Sequence, residues 1–302
     1  MVSEAVLQTF EELIPKENIY IDEPMSVHTT FKVGGSAACM VEPQTQEQLS
    51  KICKYLRLVE LPFAVLGNGS NTLVRDCGYD GVVLHLGQKF SQIQVVSEVY
   101  IIAQAGALLS QVAKTACENG LSGMEFASGI PGTVGGAVVM NAGAYGGEMS
   151  GIVEEVKVVS PEGEILTLSK DSMEFGYRKS IIKNRPFIVS EVTFKLKPAD
   201  SREISALMDK LAIKRREKQP LEYPSAGSTF KRPDGYFAGE LIMKAGMRGF
   251  QIGGARVSDK HCGFVVNVGN ATAADILDVI GEVHDRVKER FGIELDPEVV
   301  VL

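Results

Sequence analysis

Residues 128–147 read SGIPGTVGGAVVMNAGAYGG, with glycine at 129, 132, 135, 136, 143, 146 and 147. A second glycine segment, LGNGSNTLV, occupies residues 66–74. Neither fits the lysine-bearing phosphate loop G-x-x-x-x-G-K-[ST], and neither gives a G-x-G-x-x-G that opens a clear helix within a strand–helix–strand unit. Both present backbone N–H groups without side chains in the way, with the hydroxyls of Ser70 and Thr133 beside them. Consecutive N–H groups of that kind make an anion-binding concavity that needs no cationic residue. Two such loops, each beside a predicted strand, favour a dinucleotide pyrophosphate over a purely structural use of glycine. The 31 glycines cluster at 67–69, 129–136, 143–151 and 246–254. In a chain of ordinary hydrophobicity, such clusters mark close backbone approach or positive φ, not disorder.

Outward from these loops, the apolar pattern switches between helical and strand periods. The N-terminus predicts an amphipathic helix with Ala5, Val6, Phe10, Leu13 and Ile14 near one face. Residues 45–56 predict a helix opened by a capping box, Thr45 with Gln48, turning Leu49, Ile52, Cys53 and Leu56 inward. LPFAVLG (61–67) predicts a short buried strand; GVVLHL (81–86) and IQVVSEVYIIAQAG (93–106) predict further strands. LLSQVAKTACENG (108–120) predicts a helix closed by Gly120. Residues 151–169 predict a hairpin turning at Pro161-Glu162-Gly163, and 187–198 another strand. Mixed elements with hairpins predict an α+β fold and not an alternating parallel series.

The texture changes after residue 202. A helix there turns Ile204, Leu207, Met208 and Leu211 inward and stops at Pro220. Lys210, Lys214, Arg215, Arg216 and Lys218 in its later part complement the helix dipole. A second long helix, 272–291, carries Ile276, Val279, Ile280, Val283, Val287 and Phe291 on one stripe, with Thr272 and Asp275 as a capping pair. A domain boundary is expected near 198–205.

Composition narrows the function. The 302 residues are enough for about two domains with substantial cores. No stretch reaches the ~20 uninterrupted apolar residues of a membrane span, and the N-terminus lacks a basic leader, so a cytoplasmic protein is expected. A net charge of −7 argues against a general nucleic-acid binder. Cys39, Cys53, Cys77, Cys117 and Cys262 are scattered without C-x-x-C spacing, so neither a disulfide framework nor a metal site is expected.

The segment YPSAGSTFKRP (223–233) sets Ser228 after Gly227, between two prolines, on a turn that can be neither helix interior nor central strand. It is not a G-x-S-x-G nucleophile elbow. The chain has four histidines, His28, His85, His261 and His284, to serve a serine nucleophile. A turn serine bonding its own backbone is the plain alternative.

HTTFKVGG (28–35), LGNGSN (66–71), SGIPGTVGGAVVMNAGAYG (128–146), YRKS (177–180), SAGSTFKRP (225–233) and DPEVV (296–300) occur in that order. From about residue 20 to the C-terminus, this set resembles the bacterial UDP-N-acetylenolpyruvoylglucosamine reductase (MurB) family, its shorter second type. That family lies within the vanillyl-alcohol-oxidase-like FAD-binding proteins. The resemblance implies an N-terminal helix and lead-in over 1–25, a two-subdomain FAD-binding (PCMH-type) region over 26–198, and a C-terminal α+β substrate-binding domain over 205–302. It implies FAD held by Gly67, Asn68, Gly69, Ser70, Asn71, Gly129, Ile130, Gly132 and Thr133, with Ala142 and Gly143 close by. NADPH would reduce the flavin and leave. The enolpyruvyl ether of UDP-N-acetylenolpyruvoylglucosamine would then take a hydride and a proton, giving UDP-N-acetylmuramate.

By motif, Arg178 and Glu298 would stabilise the enol-like intermediate and Ser228 would deliver the proton. Tyr177, Lys218, Gly227 and Arg232 would contact the substrate. Read alone, Glu298 is a strand-end carboxylate and Arg178 a partner for Glu174; the ordered motifs favour the functional roles. The segment from YRKS to the next strand has no room for the insertion whose tyrosine closes over substrate in the longer type, so no capping tyrosine is assigned. Lys260 and His261 are candidates for that enclosure, with a structural role as the alternative. The protein is read as a monomer with no nucleic-acid, membrane or metal partner. An FAD oxidase or dehydrogenase acting on an alcohol or sugar, and a non-catalytic dinucleotide-binding module, are the competing readings.

Overall fold

The computed structural model describes residues 2–302 and divides into two compact units. The first takes residues up to 21 with 38–68 and 80–214; the second takes 22–37, 69–79 and 215–302. The units therefore interleave, where the sequence suggests one boundary near 198–205. The reason lies in three apolar residues. Phe31, Val33 and Leu73 belong to the second unit's core, so the short segments carrying them go with it.

The first unit contains most of a four-stranded sheet in the order Ile19–Pro24, Ser36–Val41, Tyr79–His85, Phe63–Leu66. Its last pair is parallel, with Phe63 opposite Val82 and Leu66 opposite His85. Phe63–Leu66 is an edge strand, which is why Val65 is 44% exposed and the strand is not the buried one expected. A five-stranded antiparallel sheet follows the order Ile165–Ser169, Val153–Val159, Ile188–Lys195, Tyr100–Gln104, Ile93–Val95. Val156 pairs with Leu168 on one side and Val192 on the other, and Val192 pairs with Ala103. The register shifts after Lys157, at Ser190, whose hydroxyl donates to the Lys157 carbonyl at 3.1 Å. The predicted hairpin turning at Pro161-Glu162-Gly163 is present.

Helices α1 (Glu4–Leu13), α2 (Gln46–Leu58) and α3 (Leu109–Glu118) belong to the same unit. Helix α1 buries Val6 and Phe10, but Ala5 faces solvent, because at five residues before Phe10 it has rotated off the buried stripe. Helix α2 buries Leu49, Ile52, Cys53 and Leu56 as the period requires. Its capping box is only half made: Thr45 accepts from the Gln48 N–H at 3.2 Å, while the Gln48 side chain turns to the Gln44 N–H. Gly120 follows α3 at φ +65. Phe10, Leu49, Ile52, Val82, Leu84, Phe90, Ile101, Val112, Val156 and Phe194 share one core. Each such buried side chain contributes about 1.5–3 kcal/mol.

Within the glycine segment, residues Val134–Val139 form a short helix, α4. The sequence suggested an open loop there. The Val134 and Gly135 N–H groups bond the carbonyls of Ala107 and Ala105 at 2.8 Å, and Val134, Ala137 and Val138 are buried. Part of this glycine run therefore serves close packing of a helix on the strand that ends at Gln104.

One end of the four-stranded sheet holds a charged cluster that motif reading did not anticipate. Glu42 accepts from His85 Nδ1 and Lys89 Nζ, each at 2.7 Å, and from the Tyr20 hydroxyl at 3.0 Å. Lys89 also donates to Asn18 Oδ1 at 2.6 Å.

Helix α5 (Ser201–Lys218) buries Ile204 and Leu211, but Leu207 is 43% exposed, so its apolar stripe is narrower than its spacing suggests. The second unit adds α6 (Ala238–Lys244), unanticipated from the sequence, and α7 (Ala273–Phe291). A three-stranded antiparallel sheet runs Gln251–Ile252, Ala255–Val257, Val265–Asn267. Helix α7 buries Ile276, Val279, Ile280, Val283 and Val287, with Phe291 partly buried against the same core. Thr272 and Asp275 make both halves of its capping box, and Asp76 accepts from the Ala273 and Ala274 N–H groups at 2.8 and 2.9 Å. Val300–Val301 pairs in parallel with Thr72–Leu73, which fixes the C-terminal segment beside residue 71. Among the described residues, no helix is long and apolar enough to cross a membrane.

Candidate active site

The predicted site residues fall in both units, and each group is built from its own local chemistry. In the first unit the two glycine segments meet. The Asn68 side chain donates to the Pro131 carbonyl at 2.6 Å. A Cβ on Gly67 would lie 2.3 Å from Thr133 Oγ1, so glycine at 67 leaves room for the Thr133 side chain against this backbone. Gly67, Asn68, Gly129, Ile130, Gly132 and Thr133 are thus one local surface. Neither 66–74 nor 128–147 contains an Asp or Glu, so a pyrophosphate set there meets backbone dipoles and no carboxylate. The residues fit the phosphates of a dinucleotide. Ala142 and Gly143 continue that segment beyond α4, with the Ala142 N–H bonded to the Ala137 carbonyl at 2.8 Å.

Arg178 sits on the tip of a tight turn in the same unit. Gly176 and Lys179 exchange backbone hydrogen bonds of 3.0 and 3.1 Å, leaving Tyr177 and Arg178 as the two tip residues. Arg178 adopts φ +53, a left-handed conformation that L side chains rarely take. Its guanidinium carbon lies 5.2 Å from the centroid of the Tyr177 ring, within cation–π range. Tyr177 is exposed and Arg178 half-buried.

Behind the turn stands Asn141, which was not among the predicted site residues. It is 1% exposed, and its side-chain amide donates to the Gly176 carbonyl at 3.0 Å and accepts from the Ser150 N–H at 2.9 Å. Ser180, fully buried, donates to the Val139 carbonyl at 2.8 Å. The sequence signal was the asparagine in a glycine-rich run, a residue type that tolerates left-handed backbone; Asn141 has φ +43.

In the second unit, Ser228 is exposed and its neighbour Thr229 is fully buried. Each polar group of Thr229 is engaged. Its N–H donates to the Gly263 carbonyl at 2.8 Å, its carbonyl accepts from the Glu298 N–H at 2.8 Å, and its hydroxyl accepts from the Val265 N–H at 3.0 Å. Phe230 bridges Pro297 in antiparallel register. Ser228 and Glu298 are therefore fixed next to one anchor, one residue apart across paired backbone. The Glu298 carbonyl also accepts from the Asn71 side chain at 3.1 Å. Thr30 of HTTFKVGG completes the frame: its hydroxyl donates to the Ser225 carbonyl at 2.6 Å and its N–H to Gly69 at 3.3 Å. Gly69, Ser70 and Asn71 are so held beside the serine turn.

Arg232 donates from Nε to the Tyr236 carbonyl at 3.2 Å, with its guanidinium 4.0 Å from the Phe237 ring centroid. Lys218 is exposed at the end of α5. Lys260 donates to the Arg216 carbonyl at 2.7 Å, closing the end of that helix, which favours a structural role for it. His261 accepts the Gly263 N–H on Nδ1 at 3.1 Å, so a neutral ring carries its proton on Nε2. Burial pushes its pKa down, and the charge of Lys218 acts the same way.

Comparison with known proteins assigns this arrangement to a family. Residues 219–302 match the model of the UDP-N-acetylenolpyruvoylglucosamine reductase C-terminal domain, and residues 37–169 that of an FAD binding domain. A UDP-N-acetylenolpyruvoylglucosamine reductase of Agathobacter rectalis is 47% identical, over 100% of this chain and 99% of the relative. The chain belongs to the UDP-N-acetylenolpyruvoylglucosamine reductase family. A reductase of the same description from Clostridioides difficile is 50% identical over 96% of this chain and 95% of its own. The crystal structure of the Thermus caldophilus UDP-N-acetylenolpyruvylglucosamine reductase (MurB) superposes with a TM-score of 0.80 at 37% identity, covering 94% of this chain and 97% of that one. Membership in this reductase family accords with the α+β fold, with the dinucleotide site read from the glycine segments and with the FAD that the resemblance implies.

Proposed function

We propose that this chain is an NADPH-dependent UDP-N-acetylmuramate dehydrogenase, reducing the enolpyruvyl group of UDP-N-acetylenolpyruvoylglucosamine during peptidoglycan precursor synthesis. The observation that carries this reading is full-length identity of 47–50% to reductases of that description, in a chain whose Ser228 and Glu298 share one buried anchor. Bound FAD supplies the hydride chemistry between NADPH and the enolpyruvyl double bond. Gly67, Asn68, Gly69, Ser70, Asn71, Gly129, Ile130, Gly132 and Thr133 hold its pyrophosphate, and Ala142 and Gly143 lie near it. Tyr177, Lys218, Gly227 and Arg232 contact the nucleotide sugar.

Hydride addition leaves negative charge beside, and delocalised into, the substrate carboxylate. Such charge is stabilised by a fixed cation and fixed hydrogen-bonding groups. Arg178 provides the cation, on a turn whose backbone is already committed. Glu298 provides the second group, as a protonated carboxyl that donates a hydrogen bond. Ser228 delivers the proton to carbon. A hydroxyl is a very weak acid, but a carbanionic carbon is a strong base, so position decides the rate more than acidity does. No histidine is needed. The protein acts as a monomer in the cytoplasm.

The test is anaerobic visible spectroscopy of the purified holoprotein, with NADPH added first and UDP-N-acetylenolpyruvoylglucosamine second. Flavin bands should bleach and then return. Bands that stay bleached would discard this substrate and favour an oxidase or dehydrogenase acting on an alcohol or sugar. A protein that takes up no FAD would overturn the role given to both glycine segments.

A further inference from the structure

We infer that Asn141, together with Ser180, is a positioning residue for Arg178, setting the Tyr177–Arg178 turn from the end of the glycine segment. The inference rests on the reading of Arg178 as the cation that stabilises the intermediate. Both flanks of the turn are tied to the same three-residue stretch, 139–141, at the C-terminal end of α4. On one side the Asn141 amide donates to the Gly176 carbonyl at 3.0 Å; on the other the Ser180 hydroxyl donates to the Val139 carbonyl at 2.8 Å. Both side chains are buried, 1% and 0% exposed. Asn141 is itself fixed by the Ser150 N–H at 2.9 Å on its oxygen, which settles which end of its amide faces Gly176.

The turn needs this support. Arg178 holds φ +53, a conformation a non-glycine residue leaves unless its surroundings over-determine it. The hydrogen bonds between Gly176 and Lys179 close the turn but do not fix its direction. The bonds from Asn141 and Ser180 do, one at each flank. Residues 142–143 follow Asn141 directly, so one asparagine links the segment assigned to the cofactor with the turn that presents the cation. A misplacement of about 1 Å in a catalytic group is enough to slow a reaction on the order of 10²-fold.

The experiment separates the two half-reactions in the holoenzyme by anaerobic stopped flow. NADPH bleaches the flavin, then UDP-N-acetylenolpyruvoylglucosamine restores it. The variants are Arg178→Ala, Asn141→Asp, Ser180→Ala and the double Arg178→Ala/Asn141→Asp. Asn141→Asp keeps the acceptor for Ser150 and removes the donor to Gly176. It should slow reoxidation about 10- to 10²-fold with bleaching unchanged. The double variant should be no slower than Arg178→Ala, because Asn141 acts through Arg178. A protonated Asp can donate to Gly176, so the Asn141→Asp defect relative to wild type should shrink as pH falls, and it should do so in reoxidation alone, with bleaching unchanged at every pH.

Slow Arg178→Ala with Asn141→Asp at wild-type speed overturns the positioning role and leaves Arg178 in place. Losses that multiply in the double variant overturn it too, because they locate Asn141's effect elsewhere. Wild-type reoxidation in Arg178→Ala removes the reading of Arg178 and the positioning role with it. If Asn141→Asp does not fold with FAD, Ser180→Ala is read by the same criteria, alone and with Arg178→Ala.

Discussion

The turn that carries Arg178 places a non-glycine residue at φ +53, whereas the turn that leads into Ser228 gives its left-handed position to Gly227 at φ +77. The difference teaches what each turn is for. At 227 the chain needs the bend and no side chain, and glycine supplies it without strain. At 178 the chain needs the bend and a guanidinium at the same residue. It accepts a conformation worth about 1–3 kcal/mol of strain and holds it from behind with Asn141 and Ser180. Ser228 is located differently, by a neighbour, Thr229, whose N–H, carbonyl and hydroxyl are all bonded.

The largest expected effect tests the unstrained turn. Ser228→Ala should leave FAD binding and reduction by NADPH intact and slow flavin reoxidation by substrate by ~10²–10⁴-fold, the usual loss for a positioned proton donor. Single-turnover reoxidation reads this directly, and near-native speed would sink the assignment. Thr229→Ala, by contrast, should lose stability as well as rate, because it strips the buried Val265 N–H of its acceptor.

The strained turn gives a two-sided prediction. Arg178→Gly should slow reoxidation by ~10²–10³-fold, as for loss of one charge-stabilising group. Its thermal stability should stay level or rise, because relief of the left-handed strain offsets the entropy of the added glycine, about 0.5–1 kcal/mol. Gly227→Ala should do the opposite at the fold. A Cβ there meets nothing within 4 Å, so any loss, about 1–2 kcal/mol by denaturation, comes from φ alone. Equal stability changes in the two variants would break the comparison.

These two turns also show what could be read without coordinates. The Gly-Ser pair between prolines announces a turn from local chemistry, and the glycine segments announce tight backbone; those features depend only on residues close in sequence. The N-terminal helix, α2, α3 and α7 were legible for the same reason, since their periods survive in any context. Asn141 was not legible, because its partner Gly176 is 35 residues away and nothing in either stretch names the other. Phe31 and Leu73 were likewise assigned with their sequence neighbours, and only packing shows that they join the second core. Leu207 fails for the converse reason: its helical spacing is right, but at 43% exposure no neighbour covers it.

In the first unit, Glu42 is held at about 2, against an ordinary 4.5, chiefly by the His85 hydrogen bond, with Lys89 and Tyr20 adding to it against the opposing effect of burial. A carboxylate depressed in the folded state stabilises the fold above its ordinary pKa, and that contribution is lost as pH falls toward 2. Glu42→Gln should therefore be less stable than wild type at pH 7, and the gap should narrow steadily between about pH 4.5 and 2. Denaturant midpoints across that range measure it. A gap independent of pH would mean that Glu42 contributes by packing and not by charge.

The smallest expected effect lies at the start of α7 in the second unit. Asp76 reaches from the segment 69–79 to accept the N–H groups of Ala273 and Ala274, while Thr272 and Asp275 cap the same end from within. A helix end has four N–H groups without intrahelical partners, so the two devices address different donors and do not replace each other. Asp76→Ala should cost about 1 kcal/mol, the usual loss for a capping acceptor reinforced by the helix dipole. Asp76→Asn should recover part of it, since one oxygen remains to accept and the charge is gone. A full recovery in Asp76→Asn would assign the whole effect to hydrogen bonding. No recovery would assign it to the carboxylate charge at the positive end of the helix, which added salt should then weaken in the wild type alone.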